Sequence, residues 1–126
     1  MNNDKIVFGE GRLSIEDIVD IAEGRREAAL SRSDDFWGTI EQGANFLDQL
    51  LAEEGVIYGV TTGYGDSCTV SIPPHLVEEL PLHLSRFHGC GLGDVFSPVQ
   101  GRAVLAVRLV SLTQGYSGVT PGLLKQ

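Results

Sequence analysis

The sequence predicts a mainly α-helical chain with a small extended component, and three observations carry that prediction. Two capping boxes open apolar segments, at Ser14 to Asp17 and at Ser97 to Gln100. Between them Phe36, Ile40, Ala44, Leu47 and Leu51 recur at steps of four, four, three and four, the spacing of a single helical stripe. Two glycine-rich stretches, 58–65 and 88–93, interrupt the helical pattern and show no period of their own.

Taken in order, Lys5-Ile-Val-Phe8 predicts a short strand ending at Gly9. Ser14 is the N-cap of the first helix, Leu13 can pack on Ile18 as a staple, and Ile15, Ile18 and Ala22 share the inner face. A second helix is expected from near Ser33 to Gly55, with Gly55 as a left-handed C-terminal cap. Gly38 and Gly43 each weaken that helix by about 1 kcal/mol relative to alanine. From Val56 to Pro73, short extended pieces joined by a glycine-dependent loop are expected. Pro73-Pro74 can open a helix carrying Leu76, Val77, Leu80 and Leu84, which Pro81 should kink or break. Pro98 at the first helical position starts a segment apolar nearly all round from Val99 to Leu112, so burial against other helices is expected. Thr120-Pro121 opens a further helix.

Composition narrows the classes of function. The chain has 126 residues, 42% of them apolar and 21% charged, which fits a folded globular chain and argues against disorder. A net charge of −8 would repel phosphates, making nucleic acid and anionic membranes poor partners. No apolar run approaches the length of a membrane span and no signal peptide is evident, so a cytoplasmic location is the expectation. Cys68 and Cys90 form neither a disulfide framework nor a zinc pattern, and both are expected to be buried, reduced thiols. His75, His83 and His88 lie at spacings of eight and five, so no metal site is expected.

The residues richest in chemistry lie in Tyr58-Gly-Val-Thr-Thr-Gly-Tyr-Gly65. Three glycines permit tight backbone geometry between two phenols, and a phenol so held can act as an acid or base if its pKa, ordinarily about 10, is lowered. The plain alternative is a tight turn with two half-buried tyrosines. It is neither a dinucleotide fingerprint nor a Walker loop, for the third glycine and the strand–helix frame are missing. His88 stands among glycines, with room for its imidazole to meet a ligand, whereas His75 and His83 are expected to be solvated.

This segment resembles the Tyr-Gly-x-x-Thr-Gly-Phe/Tyr-Gly signature of the histidine, phenylalanine and tyrosine ammonia-lyases and the related aminomutases. Three further blocks fall in the family's order: Phe8 to Ile18, His88-Gly-Cys-Gly-Leu-Gly93, and Arg108-Leu-Val-Ser-Leu-Thr-Gln-Gly-Tyr-Ser-Gly-Val119. The resemblance covers essentially the whole chain. It implies an N-terminal active-site loop domain over 1–96 and, over 97–126, the first helix of the family's central helical bundle. It also implies elimination of ammonia from an aromatic L-amino acid, histidine or tyrosine before phenylalanine, to leave an unsaturated acid. Tyr58 falls at the position of the base that takes the β-carbon proton, Gly65 near the substrate, and His88 where the substrate side chain is contacted. The electrophile the family uses, a methylidene-imidazolone, forms from an internal Ala-Ser-Gly. No Ala-Ser-Gly occurs in these residues, so the chain reads as an inactive N-terminal segment that needs the remainder of the lyase chain and a homotetramer. Val110 and Gln114 stand where the family usually carries Asn and Arg or Lys, and Gly89-Cys90 replaces Ala-Ala. An aminomutase of the same family, and a non-catalytic binding or assembly module that keeps the fold, are the competing readings.

Overall fold

The computed structural model describes residues 4–53 and 55–126. Within them the order is β1 (Lys5–Phe8), α1 (Ile15–Ala22), β2 (Glu27–Leu30), α2 (Asp34–Ala52), α3 (Leu80–His88), α4 (Pro98–Leu112) and α5 (Pro121–Leu124), with 3₁₀ turns at Gly65–Thr69 and Pro74–Leu76. The mainly helical class with a small extended part is what forms. The chain divides into two compact units, one made of residues 1–46 with 95–126 and the other of 47–94, so the division falls inside α2.

The first unit begins with a β-α-β motif. β1 and β2 pair in parallel with Lys5 opposite Glu27 and Phe8 opposite Leu30, and a parallel pair needs a crossover, which α1 supplies. Glu-Ala-Ala-Leu contains no β-branched or aromatic residue, so β2 is set by its pairing rather than by propensity. α1 starts as its sequence dictates: Ser14 Oγ accepts the Asp17 N–H (3.1 Å) and Asp17 returns a carboxylate oxygen to the Ser14 N–H (2.9 Å). The carboxylate is held below its ordinary pKa, first by that Ser14 backbone hydrogen bond, then by the Ser14 hydroxyl and Arg26. Ile18 packs inward, but Ile15, expected on the same face, is 79% exposed. α1 has no basic residue in its last turn; Arg102 of α4 fills that role, its Nε donating to the Ala22 carbonyl at 2.7 Å.

Two apolar clusters make this unit's core. Ile6, Phe8 and Ala106 are buried in one, and Phe36, Ile40 and Leu124 in the other, with Leu30 and Leu109 touching both. Burying one such large side chain contributes about 1.5–3 kcal/mol. The α2 stripe is therefore real over Phe36, Ile40 and Ala44, while Leu47 is half-buried and Leu51 exposed. Gly43 has a packing reason: a Cβ there would meet the Gly115 carbonyl oxygen. Gly38 faces open space. α4 is capped as expected, with Ser97 and Gln100 exchanging hydrogen bonds and Pro98 in the first turn. Its apolar surface is covered on one face only: Ala106 is buried, whereas Val104, Leu105 and Val107 are exposed. Thr120 caps the short α5 through the Leu123 N–H.

In the second unit α2 ends at Ala52, and the Gly55 N–H returns to the Leu50 carbonyl at 2.8 Å. The expected last turn includes Glu54, which lies outside the described residues. Pro81 opens α3 instead of kinking a longer helix, since a proline in the first turn loses no helical hydrogen bond. Cys68 and Cys90 are both exposed, not buried: the first lies on the Gly65–Thr69 turn and the second just after α3. No helix of the described residues is long and apolar enough to cross a membrane.

Candidate active-site loop

Residues 55–72 form a compact loop closed by a ladder of short bonds. Ile57 C=O accepts from Val60 and Thr61 N–H (3.1 and 2.9 Å), which turns the chain directly after Tyr58. Gly63 N–H donates to Val70 C=O (3.0 Å) and Ile72 N–H to Thr61 C=O (2.9 Å), and Thr62 bridges Ser71 in antiparallel fashion. The turn needs glycine at position 59, where φ is +73° and a Cβ would run into the Tyr64 ring.

Tyr58 is 65% exposed rather than half-buried. Its hydroxyl oxygen accepts the Gly65 N–H at 3.0 Å, and its ring meets Tyr64 edge-on, with centroids 6.4 Å apart and planes at 89°. The phenol oxygen is thus fixed at one end by a backbone donor while most of the side chain faces solvent. That leaves it able to receive or deliver a proton to something outside the loop. Gly65 has φ of +56°, which only glycine adopts cheaply. The structure brings Tyr58 and Gly65 together.

His88 is the last residue of α3 and exposed. Its Nδ1 lies 3.1 Å from the Leu84 carbonyl oxygen. A carbonyl can only accept, so Nδ1 carries the proton and Nε2 is the acceptor of the neutral ring. No hydrogen bond among the described residues joins His88 to Tyr58 or Gly65. Cys90 Sγ donates to the Phe87 carbonyl in the same turn. His83 reaches Glu79 at 3.4 Å one helical turn away, and His75 is exposed. No metal-binding cluster occurs among the described residues.

The residues that sequence reasoning passed over are Thr61 and Thr62. Thr61 Oγ1 accepts the Ile57 N–H (2.8 Å) and Thr62 Oγ1 the Gly59 N–H (3.1 Å). A pair of hydroxyls among glycines was the available signal, because such side chains bond to nearby backbone in place of regular structure. Both also line a cavity of about 500 Å³ with Leu51, Val56, Ile72 and Glu78, which Tyr58 does not line.

Solved structures show the same arrangement of elements. Tyrosine aminomutase from Streptomyces globisporus superposes with a TM-score of 0.85 and 27% identity, over 96% of this chain and 23% of that one. Phenylalanine aminomutase from Pantoea agglomerans gives 0.82 and 26%, over 96% and 23%. The fold is that of the ammonia-lyases and aminomutases. Histidine ammonia-lyase of Mus musculus is 36% identical over 114 residues, 90% of this chain and 17% of that protein. The family described as aromatic amino acid lyase matches residues 13–126, and the chain belongs to it. It spans about a fifth of the length of the relatives it matches.

Proposed function

We propose that these residues supply the base of an ammonia-lyase acting on an aromatic L-amino acid, histidine or tyrosine, with Tyr58 as that base. The observation that carries this reading is the Gly65 N–H bond to the Tyr58 hydroxyl oxygen, on a loop that leaves the side chain exposed. In the proposed step Tyr58 Oη takes a proton from the substrate's β-carbon as the carbon–nitrogen bond breaks, releasing ammonia and an unsaturated acid. Gly65 lies beside the substrate, and His88, through Nε2, contacts its side chain. The electrophile that activates the amine in this family is a methylidene-imidazolone made from Ala-Ser-Gly. These residues contain no such tripeptide, so they do not fit that group, and it has to come from other residues. By themselves the 126 residues are therefore inactive, and the working site is completed by further lyase sequence in a cytoplasmic homotetramer.

A second reading, an aminomutase that returns ammonia to the neighbouring carbon, is favoured by the likeness to the two aminomutases. Tyr58→Phe in the assembled protein tests the first. Release of unsaturated acid, followed by its ultraviolet absorbance with histidine, tyrosine and phenylalanine in turn, should fall about 10²- to 10⁴-fold while the fold is kept, the loss expected for removing a general base. Near-normal turnover removes Tyr58 as the base. A β-amino acid as the main product makes the protein an aminomutase.

A further inference from the structure

Tyr58 lies between two peptide groups whose amide hydrogens both end on threonine hydroxyls. Ile57 N–H donates to Thr61 Oγ1 at 2.8 Å and Gly59 N–H to Thr62 Oγ1 at 3.1 Å. Each hydroxyl passes its own proton onward. Thr62 Oγ1 donates to the Gly63 carbonyl (3.0 Å), and Thr61 Oγ1 to the Gly55 carbonyl (3.1 Å), with the Ile57 carbonyl a longer alternative at 3.5 Å. The threonines are themselves anchored, through the Ile72 N–H to the Thr61 carbonyl and the Thr62–Ser71 bridge. Thr62 is only 6% exposed, in a unit where nearly every other described residue meets solvent. Removing a buried hydroxyl that satisfies two backbone groups leaves both without that partner, at the desolvation cost of each group left unsatisfied. The β-branch narrows the rotamers open to each hydroxyl, so its direction is built in.

We propose that Thr61 and Thr62 are the positioning residues of Tyr58, with Thr62 the stronger of the two. Their hydroxyls hold the backbone on both sides of Tyr58, Thr62 through the adjoining Tyr58–Gly59 peptide and Thr61 through the Val56–Ile57 peptide one residue earlier, and through them the place where the phenol oxygen meets the Gly65 N–H. The role they position rests on the reading of Tyr58 as the base; the positioning itself is measurable without turnover.

The test is amide hydrogen exchange, read by NMR on the 126-residue chain labelled with nitrogen-15. Thr62→Val keeps the shape and removes the hydroxyl. Exchange at Gly59 should quicken about tenfold, the equivalent of one ordinary hydrogen bond. Exchange at Gly65, whose partner is the phenol seven residues away, should quicken with it, towards the value Tyr58→Phe sets by removing that partner outright. Amides of α1 and α4 should stay as in the unaltered chain, and Thr62→Ser should restore both glycines. Gly65 unchanged while Gly59 quickens overturns the proposal, for the hydroxyl then holds the loop but not the phenol. Failure of Thr62→Ser to restore protection overturns it as well. If Thr62→Val unfolds the chain, Thr61→Val takes its place, with Ile57 and Gly65 as reporters and the same criteria. An active Tyr58→Phe protein alongside a Gly65 amide released in Thr62→Val would sink the base and leave the positioning standing.

Discussion

In the first unit the side chains kept from water are chiefly apolar: Ile6, Phe8, Phe36, Ile40, Ala106 and Leu124 close two clusters between strands and helices. Across 47–94 the only buried residues among those described are Thr62 and Gly63. One unit is held by area removed from water and trimmed by helix caps. The other is held by hydrogen bonds from hydroxyls and by glycines that permit the turns, while Val56, Leu82, Phe87 and Leu92 stay exposed. The difference teaches where the tyrosine can work. The proposed base has to reach its substrate, and Tyr58 sits where apolar packing is absent and local polar bonds supply the order that packing supplies elsewhere.

The same substitution made in both units gives the widest separation. Phe8→Ala, at a side chain 1% exposed, should cost about 3–5 kcal/mol. Phe87→Ala, at one 70% exposed, should change stability by less than about 0.5 kcal/mol. Urea denaturation of the two variants checks both, and equal losses would break the contrast. Next come the glycines of α2. Gly43→Ala drives a methyl into the Gly115 carbonyl oxygen and should cost about 1–3 kcal/mol. Gly38→Ala, with nothing near it, should stabilise the helix by about 1 kcal/mol. Thermal melts of the pair should move in opposite directions.

The smallest effect concerns acid. Asp17 has its pKa lowered on folding, so its contribution is fully present above its unfolded value, near 4, and fades as pH falls through the lower folded value. Asp17→Asn should flatten the loss of stability between neutral pH and about pH 3. Denaturation midpoints at the two pH values measure it, and an unchanged slope would remove the carboxylate from the account.

Much of the first unit was legible in the sequence because its signals are local. The two capping boxes need only residues three apart, and Phe36, Ile40 and Ala44 announce their face by spacing. β2 was not legible, since Glu-Ala-Ala-Leu becomes a strand only when β1 lies beside it. The exposure of Ile15 and of the outer side of α4 was hidden for the same reason: periodicity tells that a face is apolar, not what covers it. Burial of the cysteines, expected from the residue type alone, fails at both positions, Cys68 lying on the 3₁₀ turn and Cys90 in the irregular segment after α3. At the site, the motif singled out Tyr58 and Gly65 separately, and the bond between the Gly65 N–H and the Tyr58 hydroxyl came only with the structure. The two threonine hydroxyls among glycines signalled local bonds to backbone, but which four groups they join depends on backbone directions that residue types alone do not encode.

The bond from Arg102 to the Ala22 carbonyl joins residues 80 apart, and it carries a timetable. α1 leaves the ribosome long before the side chain that completes its end, and Phe8 emerges long before Ala106, its neighbour in the core. The intervening unit of 48 residues, 47 through 94, has to be made in between. At ordinary translation rates that delay is roughly 2–10 s. For those seconds Phe8 and the end of α1 wait without Ala106 and Arg102, and apolar surface left open in a nascent chain is what favours aggregation.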